Sequence, residues 1–294
     1  MTKYVQALVA GVGTGAVYAL VAYGITLVYA VTRTVNLAQG DVVMTAVFVS
    51  LTGLLYGLPA WEALVLGLLA AAVLGVLLER VVMAPLAGRR DPLSWFLGVI
   101  VFAAVLRGAT TLLFGERAYP LPVSLGGEDV VSLGAIAFRA TYLYVIGLAV
   151  VLAVAVEVLL RRTAFGRAVR TIAESPESAS LAGVDVPRVR LVTVVLASVL
   201  GAVGGLVYAP LTFVSTQLGF LYTFKGFVAA TIGGLGSGTG ALAGGLLVGV
   251  TESVLLVAFP GLTAGIVDAL VFGIAIGVLV LAPQGVAGRR EAAR

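Results

Sequence analysis

Residues 161–190 read R-R-T-A-F-G-R-A-V-R-T-I-A-E-S-P-E-S-A-S-L-A-G-V-D-V-P-R-V-R, a mostly hydrophilic segment in a chain that is otherwise nearly all apolar. The segment carries six arginines against the three acids Glu174, Glu177 and Asp185. Positive charge of this density beside transmembrane segments is retained on the cytoplasmic side of a membrane. The segment is therefore predicted to be a cytoplasmic loop with membrane spans on both sides of it.

The same loop contains the signals of a short helix over residues 175–183. Ser175 can cap it, Pro176 suits its first position, Glu177 favours the positive end of its dipole, and Gly183 can end it. The pattern indicates a compact helix that is presented to a cytoplasmic protein. The alternative is a solvated connector between two spans.

The composition of the chain fixes its class. Hydrophobic residues make up 61% of the 294 residues and charged residues 11%, with a mean hydropathy of +1.14. No water-soluble domain of this size could cover its surface with so few polar residues, so we expect an all-α polytopic membrane protein, with residues 1–294 forming one transmembrane domain. The absence of cysteine and histidine excludes disulfides, thiol chemistry, zinc sites and histidine proton relays. The net charge of +4 is not clustered, which argues against nucleic-acid binding.

Apolar runs long enough to cross a bilayer indicate eight membrane spans, and a shorter run at 226–235 makes a ninth crossing an open alternative. The longer runs lie near residues 5–30, 38–57, 61–83, 93–114, 141–160, 190–213, 240–258 and 263–282. With the arginine loop inside, alternation places most other arginines on the same side, namely Arg33, Arg80, Arg89, Arg90, Arg289, Arg290 and Arg294. The C-terminus is then cytoplasmic if 226–235 crosses.

Two polar or glycine-rich breaks interrupt the apolar pattern at membrane depth. The first is T-R-T-V-N-L-A-Q-G-D at 32–41, and the second is Lys225-Gly226 followed by a glycine run at 233–240. Non-helical backbone in a bilayer must be packed in protein or line a wet cavity, so each break is predicted to be a broken helix beside a path through the membrane. The alternatives are a cytoplasmic turn and a flexible loop, respectively. The candidate path residues are Asn36, Gln39, Asp41, Lys225, Gly233, Gly234 and Gly236.

Charged residues within the apolar runs give no support for catalysis. No two acids fall at i, i+3 or i+4 on one helix, so paired carboxylates for acid-base chemistry are not expected, and the chain is not predicted to be an enzyme. Asp41 and Glu252 are either path residues or positions at hydrated helix ends. Lys225 and Arg107 either extend from a helix end towards water or point inward and attract a carboxylate.

Four G-x-x-x-G pairs lie in apolar segments, a spacing that lets helix backbones approach closely. They predict tight packing between helices, and they are Gly11/Gly15, Gly201/Gly205, Gly240/Gly244 and Gly245/Gly249.

Four motifs together resemble a known family. They are Y-G-I-T-L-V-Y-A-V-T-R-T-V-N-L-A-Q-G-D-V-V-M at 23–44, G-R-A-V-R-T-I-A-E-S-P-E-S-A-S-L-A-G-V-D-V at 166–186, K-G-F-V-A-A-T-I-G-G-L-G-S-G-T-G-A-L-A-G-G-L-L-V-G-V-T-E at 225–252, and A-P-Q-G-V at 282–286. The chain is similar over nearly its whole length to permease subunits of bacterial ABC importers for branched-chain amino acids. Its length and motif order resemble the shorter, LivH-like permease type.

The resemblance implies a multi-pass permease of the bacterial inner membrane whose loop docks on an ATPase. The docking residues would be Gly166, Arg167, Glu174, Ser175, Pro176, Glu177, Leu181 and Gly183. The implied partners are a second, LivM-like permease, two ABC ATPase subunits and an extracytoplasmic substrate-binding protein, with ATP and magnesium bound by the ATPases and no cofactor in this chain. An ion-coupled secondary transporter, and within the family a permease for urea or short amides, are the alternatives.

Overall fold

The computed structural model describes residues 2–87, 92–122, 130–133 and 136–281, and these residues are largely helical. The helices are α1 (Thr2–Thr32), α2 (Gln39–Leu55), α3 (Ala60–Leu86), α4 (Pro92–Phe114), α5 (Thr141–Arg162), α6 (Ala164–Glu174), α7 (Pro176–Leu181), α8 (Val186–Tyr208), α9 (Leu218–Gly233), α10 (Gly238–Ala258) and α11 (Ala264–Leu281). Helix α3 passes through a π-helical turn at Leu78–Met83.

Two small antiparallel β-pairs lie outside the helices, and the sequence did not predict them. Strand β1 (Tyr119–Pro120) pairs with β4 (Phe213–Val214), while β2 (Val130–Leu133) pairs with β3 (Ile136–Arg139). The β1–β4 pair joins the connection after α4 to the connection after α8. Both connections therefore lie at the same end of the molecule, which we call the far side, opposite the loop 161–190.

The helices confirm an all-α polytopic membrane protein. Six of those described are long and apolar enough to cross a bilayer, and three shorter apolar helices accompany them: Gln39–Leu55, Leu218–Gly233 and Ala264–Val278. The prediction of eight or nine crossings stays a prediction.

The short run predicted at 226–235 is part of a longer helix. Helix α9 already begins at Leu218, and its 16 residues extend about 24 Å at 1.5 Å per residue. The predicted interruption at Lys225-Gly226 is wrong, because both residues lie within this continuous helix. Its aromatic residues before Lys225 supply the additional apolar length.

Helix α1 is the centre of the packing, and glycines allow its close contact with α10. Gly15 faces Gly245, whose carbonyl oxygen would lie 2.9 Å from a methyl group added at Gly15. Gly11 meets Gly249 in the same way, at 3.0 Å from its carbonyl oxygen. The predicted role of these glycine pairs in helix packing is confirmed.

Large apolar side chains cover the outer surfaces of the helices. Leu69 of α3, Val105 of α4, Val151 of α5 and Ile276 of α11 are all exposed. Apolar surface of this extent fits a lipid environment.

Candidate functional site

The first predicted break is a short non-helical segment, residues 33–38, in which Asn36 and Ala38 are buried and Arg33 is exposed. Asn36 and Gln39 are fully buried. The Asn36 side-chain amide donates to Gln39 Oε1 at 3.1 Å, and Gln39 Nε2 donates to the Ala197 carbonyl at 2.7 Å. These bonds satisfy buried polar groups that lipid could not hydrogen-bond. An ordinary exposed turn would not need such bonds, because water would satisfy its polar groups.

An open apolar groove runs between α4 and α9 beside this segment. Its volume is about 830 Å³, and we call it the α4–α9 groove. It is lined by Thr34, Val35 and Leu37 of the segment, by Leu93, Phe96, Ile100, Ala103, Ala104 and Arg107 of α4, and by Phe220, Thr223, Phe224 and Phe227 of α9. The only charged group among these lining residues is the Arg107 guanidinium.

Arg107 forms a bidentate ion pair with Asp41 of α2. Nε and Nη2 of Arg107 donate to the two Asp41 carboxylate oxygens at 3.0 and 2.9 Å. The Asp41 side chain is buried, whereas the Arg107 side chain is 33% exposed and lies over the Phe220 ring, 5.4 Å from its centroid. The Arg107 guanidinium is therefore paired and does not extend towards water from a helix end, because Asp41 holds it at the groove.

A second ion cluster surrounds Lys225 within the helix bundle. Lys225 Nζ lies 2.7 Å from Glu252 of α10 and 2.9 Å from Asp268 of α11. It also donates to the Tyr18 hydroxyl at 3.1 Å, and that hydroxyl donates to Glu252. The sequence analysis compared acids along single helices, and it did not anticipate that Glu252 and Asp268, which come from two helices, meet at one ammonium group. Lys225 is buried within α9 and not at a helix end.

The second predicted break is shorter than the glycine run suggested. Residues 234–237 form a tight turn between α9 and α10, and Ser237 Oγ caps α10 by accepting from the Gly240 amide at 3.2 Å. Gly234 and Gly236 have φ angles of +96° and +99°, which disfavour any other residue there. The backbones of Gly233 and Gly240 touch.

This turn borders a polar cavity of about 660 Å³ on the side of the arginine loop, which we call the loop-side cavity. Its other walls come from α1, α5 and α6, including Tyr23, Glu157, Arg161 and Arg170. Tyr23 donates to Glu157 at 3.1 Å, which ties α1 to α5 at this end.

The arginine loop folds into two short helices, α6 and α7. Ser175 caps α7 by accepting from the Ser178 amide at 3.2 Å, and Gly183 ends the turn that follows with a φ of +80°. Within α7, the Ala179 side chain is fully buried, whereas Leu181 is 91% exposed. The predicted short helix is confirmed, and the structure adds α6, which Thr163 caps.

Some of the remaining loop residues hold the loop in place, and others lie exposed on its surface. Gly166 is buried against the backbone of Leu160, where a side chain would not fit. Arg33 and Arg170 donate to the carbonyls of Ala173 and Leu160, which fastens the loop to the helices. The other predicted docking residues are exposed, namely Arg167, Glu174, Pro176 and Glu177.

The predicted path residues lie in separate places. Asp41 reaches the α4–α9 groove through Arg107, Lys225 lies in its own cluster, and the glycine turn borders the loop-side cavity. Asn36 and Gln39 are buried and are not among the groove-lining residues. Whether any of them contacts a substrate stays a prediction.

Sequence reasoning did not identify the pair of Arg190 and Glu79. Arg190 Nε lies 2.7 Å from Glu79 Oε1 at the π-helical turn of α3, and both side chains are largely buried. The general rule that charges within membrane segments pair with each other was the available signal.

Comparison with known proteins places this arrangement in a family. A sequence model described as "Branched-chain amino acid transport system / permease component" matches residues 7–282. The permease protein BraD of the high-affinity branched-chain amino acid transport system of Pseudomonas aeruginosa is 32% identical, over 98% of this chain and 97% of BraD. The corresponding LivH of Escherichia coli is also 32% identical, over 98% of this chain and 96% of LivH.

More distant similarities extend the comparison. A probable LivH of Methanocaldococcus jannaschii is 27% identical over 92% of this chain and 88% of that protein. The structure of PsaBC from Streptococcus pneumoniae in complex with Fab covers 96% of this chain and 92% of that chain, at 16% identity and a TM-score of 0.48. The match of the family model and the identities to BraD and LivH show that the chain belongs to the permease component family of branched-chain amino acid transport systems.

Proposed function

We propose that this chain is the membrane permease subunit of an ATP-driven importer for branched-chain amino acids. The observation that carries the proposal is similarity over nearly the full length to BraD and LivH, which are named as permeases of high-affinity branched-chain amino acid transport systems. The substrate then passes through the membrane beside this chain, and the chain itself performs no chemical reaction.

ATP hydrolysis belongs to partner subunits that dock on the arginine loop. Helix α7 supports this part of the proposal, because its buried Ala179 anchors it while Leu181 points away from the protein. An exposed leucine on a short helix that is fixed at its base suits a helix-in-groove contact. The further partners are a second permease of the LivM-like type and an extracytoplasmic binding protein that delivers the amino acid.

The arginine loop faces the cytosol, and the C-terminus lies on the same side of the bacterial inner membrane. The distribution of arginines supports this orientation, since Arg33, Arg161 and Arg170 gather around the loop-side cavity. The β1–β4 pair, which contains no charged residue, marks the outer end.

Reconstitution tests the proposal directly. Proteoliposomes would contain this chain, its second permease, both ATPases and the binding protein, and uptake of radiolabelled leucine would be measured. We expect uptake to require ATP on the side that corresponds to the cytosol and to continue when proton and sodium gradients are collapsed.

Loss of uptake on addition of an ionophore, with ATP still present, would favour the ion-coupled alternative. The Lys225 cluster makes this control necessary, because it contains two intramembrane carboxylates. Competition by unlabelled urea or acetamide in place of leucine and valine would instead favour a permease for short amides.

A further inference from the structure

The loop-side cavity lies between the arginine loop and the turn that precedes α10. Its volume of about 660 Å³ is within the roughly 300–1,000 Å³ that small-molecule pockets occupy. Three arginines and two acids line it, which gives the lining a net positive charge, and they are Arg33, Arg161, Arg170, Glu157 and Glu174. The cavity therefore favours an anion over a cation.

Two of these arginines have no acidic partner. Both Glu157 oxygens are already engaged, because Arg161 donates to Oε1 at 2.5 Å and Tyr23 donates to Oε2 at 3.1 Å. Arg33 and Arg170 each donate to a backbone carbonyl, and neither forms an ion pair with any residue that the structure describes. A guanidinium carries five N–H donors, so each of the two keeps several for a ligand.

The N-terminus of α10 opens onto the same cavity. Gly238 and Thr239 begin this 21-residue helix, and both line the cavity. The first backbone bond of the helix runs from the Ala241 amide to the Ser237 carbonyl, so the two preceding amides have no partner within the helix. Free amides at the positive end of a helix dipole form a binding site for phosphate and similar anions.

A buried hydroxyl at the cavity gives an independent indication of a ligand. Thr26 is only 3% exposed, and its hydroxyl has no hydrogen-bond partner within the described part of the chain. Thr26 lines the cavity together with Tyr23, Leu27 and Ala30, which lie three and four residues apart on one face of α1. A buried hydroxyl without a partner is unfavourable, and a ligand oxygen would supply the partner.

We infer that the loop-side cavity binds a phosphate group, of either a free anion or a phospholipid headgroup. The donors available to its oxygens are Arg33, Arg170, the first amides of α10 and the Thr26 hydroxyl. Leu27 and Leu160 would contact the apolar part of a lipid. Basic pockets between membrane helices bind phosphorylated headgroups in this way. The bound group would connect the arginine loop to α10, and the site does not depend on which substrate the chain transports.

Titration of the full chain in detergent tests the site. The probes are inorganic phosphate, dioctanoyl phosphatidylglycerol and dioctanoylglycerol, which lacks the phosphate, each in potassium chloride at constant ionic strength. Tryptophan fluorescence would report the midpoint of thermal unfolding. We expect a saturable rise with one or both phosphate-bearing probes and none with dioctanoylglycerol. A rise with inorganic phosphate shows that a free anion suffices, whereas a rise with the lipid alone identifies the headgroup as the source.

Three variants locate the site within the chain. Thr26→Val should raise the dissociation constant about three- to tenfold by removing a neutral hydrogen bond, and Arg170→Gln should raise it roughly tenfold or more by removing a charged one. Arg162→Gln is the matched control, because Arg162 is an exposed arginine of α5 that does not line the cavity. It should bind both probes as the wild type does. Without a probe, Thr26→Val should unfold at no lower temperature than the wild type, because the lost hydroxyl had no partner.

Two results would overturn the inference. In one, neither phosphate-bearing probe stabilises the wild type beyond the chloride and dioctanoylglycerol controls. In the other, Thr26→Val and Arg170→Gln bind the probes as tightly as Arg162→Gln, which would place the bound phosphate elsewhere. Leucine uptake by the reconstituted complex tests the proposed function separately, so neither result bears on it.

Discussion

At the scale of single residues, the bundle is organised around charges that are paired within the membrane. Lys225 meets two carboxylates from two other helices, and the Tyr18 hydroxyl of α1 completes its shell. Each charge would be costly to bury alone, and the pairing compensates that cost only while every member is present. The cluster thus makes four helices depend on one side chain.

Replacement of Lys225 by methionine tests this dependence. Lys225→Met leaves Glu252 and Asp268 without their cation, so we expect a loss of about 3–5 kcal/mol in stability. Thermal unfolding of the detergent-solubilised chain would report it as a lower midpoint. The triple variant Lys225→Met/Glu252→Gln/Asp268→Asn should regain most of the loss, and equal instability of both variants would show that shape matters there more than charge.

At the scale of elements, the contact between α1 and α10 depends on glycine. Gly249 lies so close to the backbone of Gly15 that an added methyl group would overlap it. Gly147 of α5 offers a comparison, because a methyl group there would meet no atom within 4 Å. The two positions carry the same residue in the same secondary structure and differ in their neighbours.

Gly249→Ala is expected to destabilise the bundle by roughly 1–3 kcal/mol through overpacking. Gly147→Ala should instead stabilise α5 by roughly 0.5–1 kcal/mol, because alanine restricts the unfolded chain. Unfolding in increasing denaturant would compare the two. A similar response of both variants would contradict close backbone packing of α1 on α10.

Helix α7 gives a second test at this scale. Leu181→Asp and Pro176→Asp change exposed residues, so the chain should still fold and insert. We expect each to abolish copurification of the ATPase, because each places a charge in an apolar docking contact.

Pro187 of α8 provides the matched control for Pro176. It is also an exposed proline in the first turn of a helix. Pro187→Asp should keep the ATPase bound. Normal copurification with both α7 variants would show that this helix is not the docking element.

At the scale of the whole molecule, the two ends can be distinguished by labelling, because the chain contains no cysteine. Ser180→Cys lies on α7, and Tyr56→Cys lies in the exposed turn after α2 at the far side. In intact cells, we expect a membrane-impermeant maleimide to label Tyr56→Cys alone, while Ser180→Cys should react only after the cells are opened. Labelling of Ser180→Cys from outside would invert the proposed orientation.

Local signals in the sequence predicted much of this architecture. A long apolar run identifies a membrane helix without reference to its neighbours, and the cap at Ser175 and the stop at Gly183 are equally local. The G-x-x-x-G spacing likewise predicted the contacts of Gly11 and Gly15, although not their partners.

Features that depend on packing could not be predicted. Lys225 and Tyr18 are 207 residues apart in sequence, and only the arrangement of α1 and α9 brings them together. The start of α9 was predicted too late in the chain. A lysine within an apolar run looks like a helix boundary as long as its partners, Glu252 and Asp268, are unknown. The α4–α9 groove arises from two helices whose separate patterns show no sign of a shared cavity.

The Lys225 cluster also has a consequence for how the chain enters the membrane during synthesis. Lys225 leaves the ribosome before Glu252 and Asp268, yet a lone lysine at the centre of a helix opposes insertion by about 2.5–3.5 kcal/mol. Helix α9 is therefore expected to settle in the bilayer only after α10 and α11 have been made. Nascent chains would be arrested through a C-terminal spacer long enough to clear the ribosome after residue 236 or after residue 281. We expect protease protection of α9 only in the longer chain, so that α9, α10 and α11 enter the membrane as one unit.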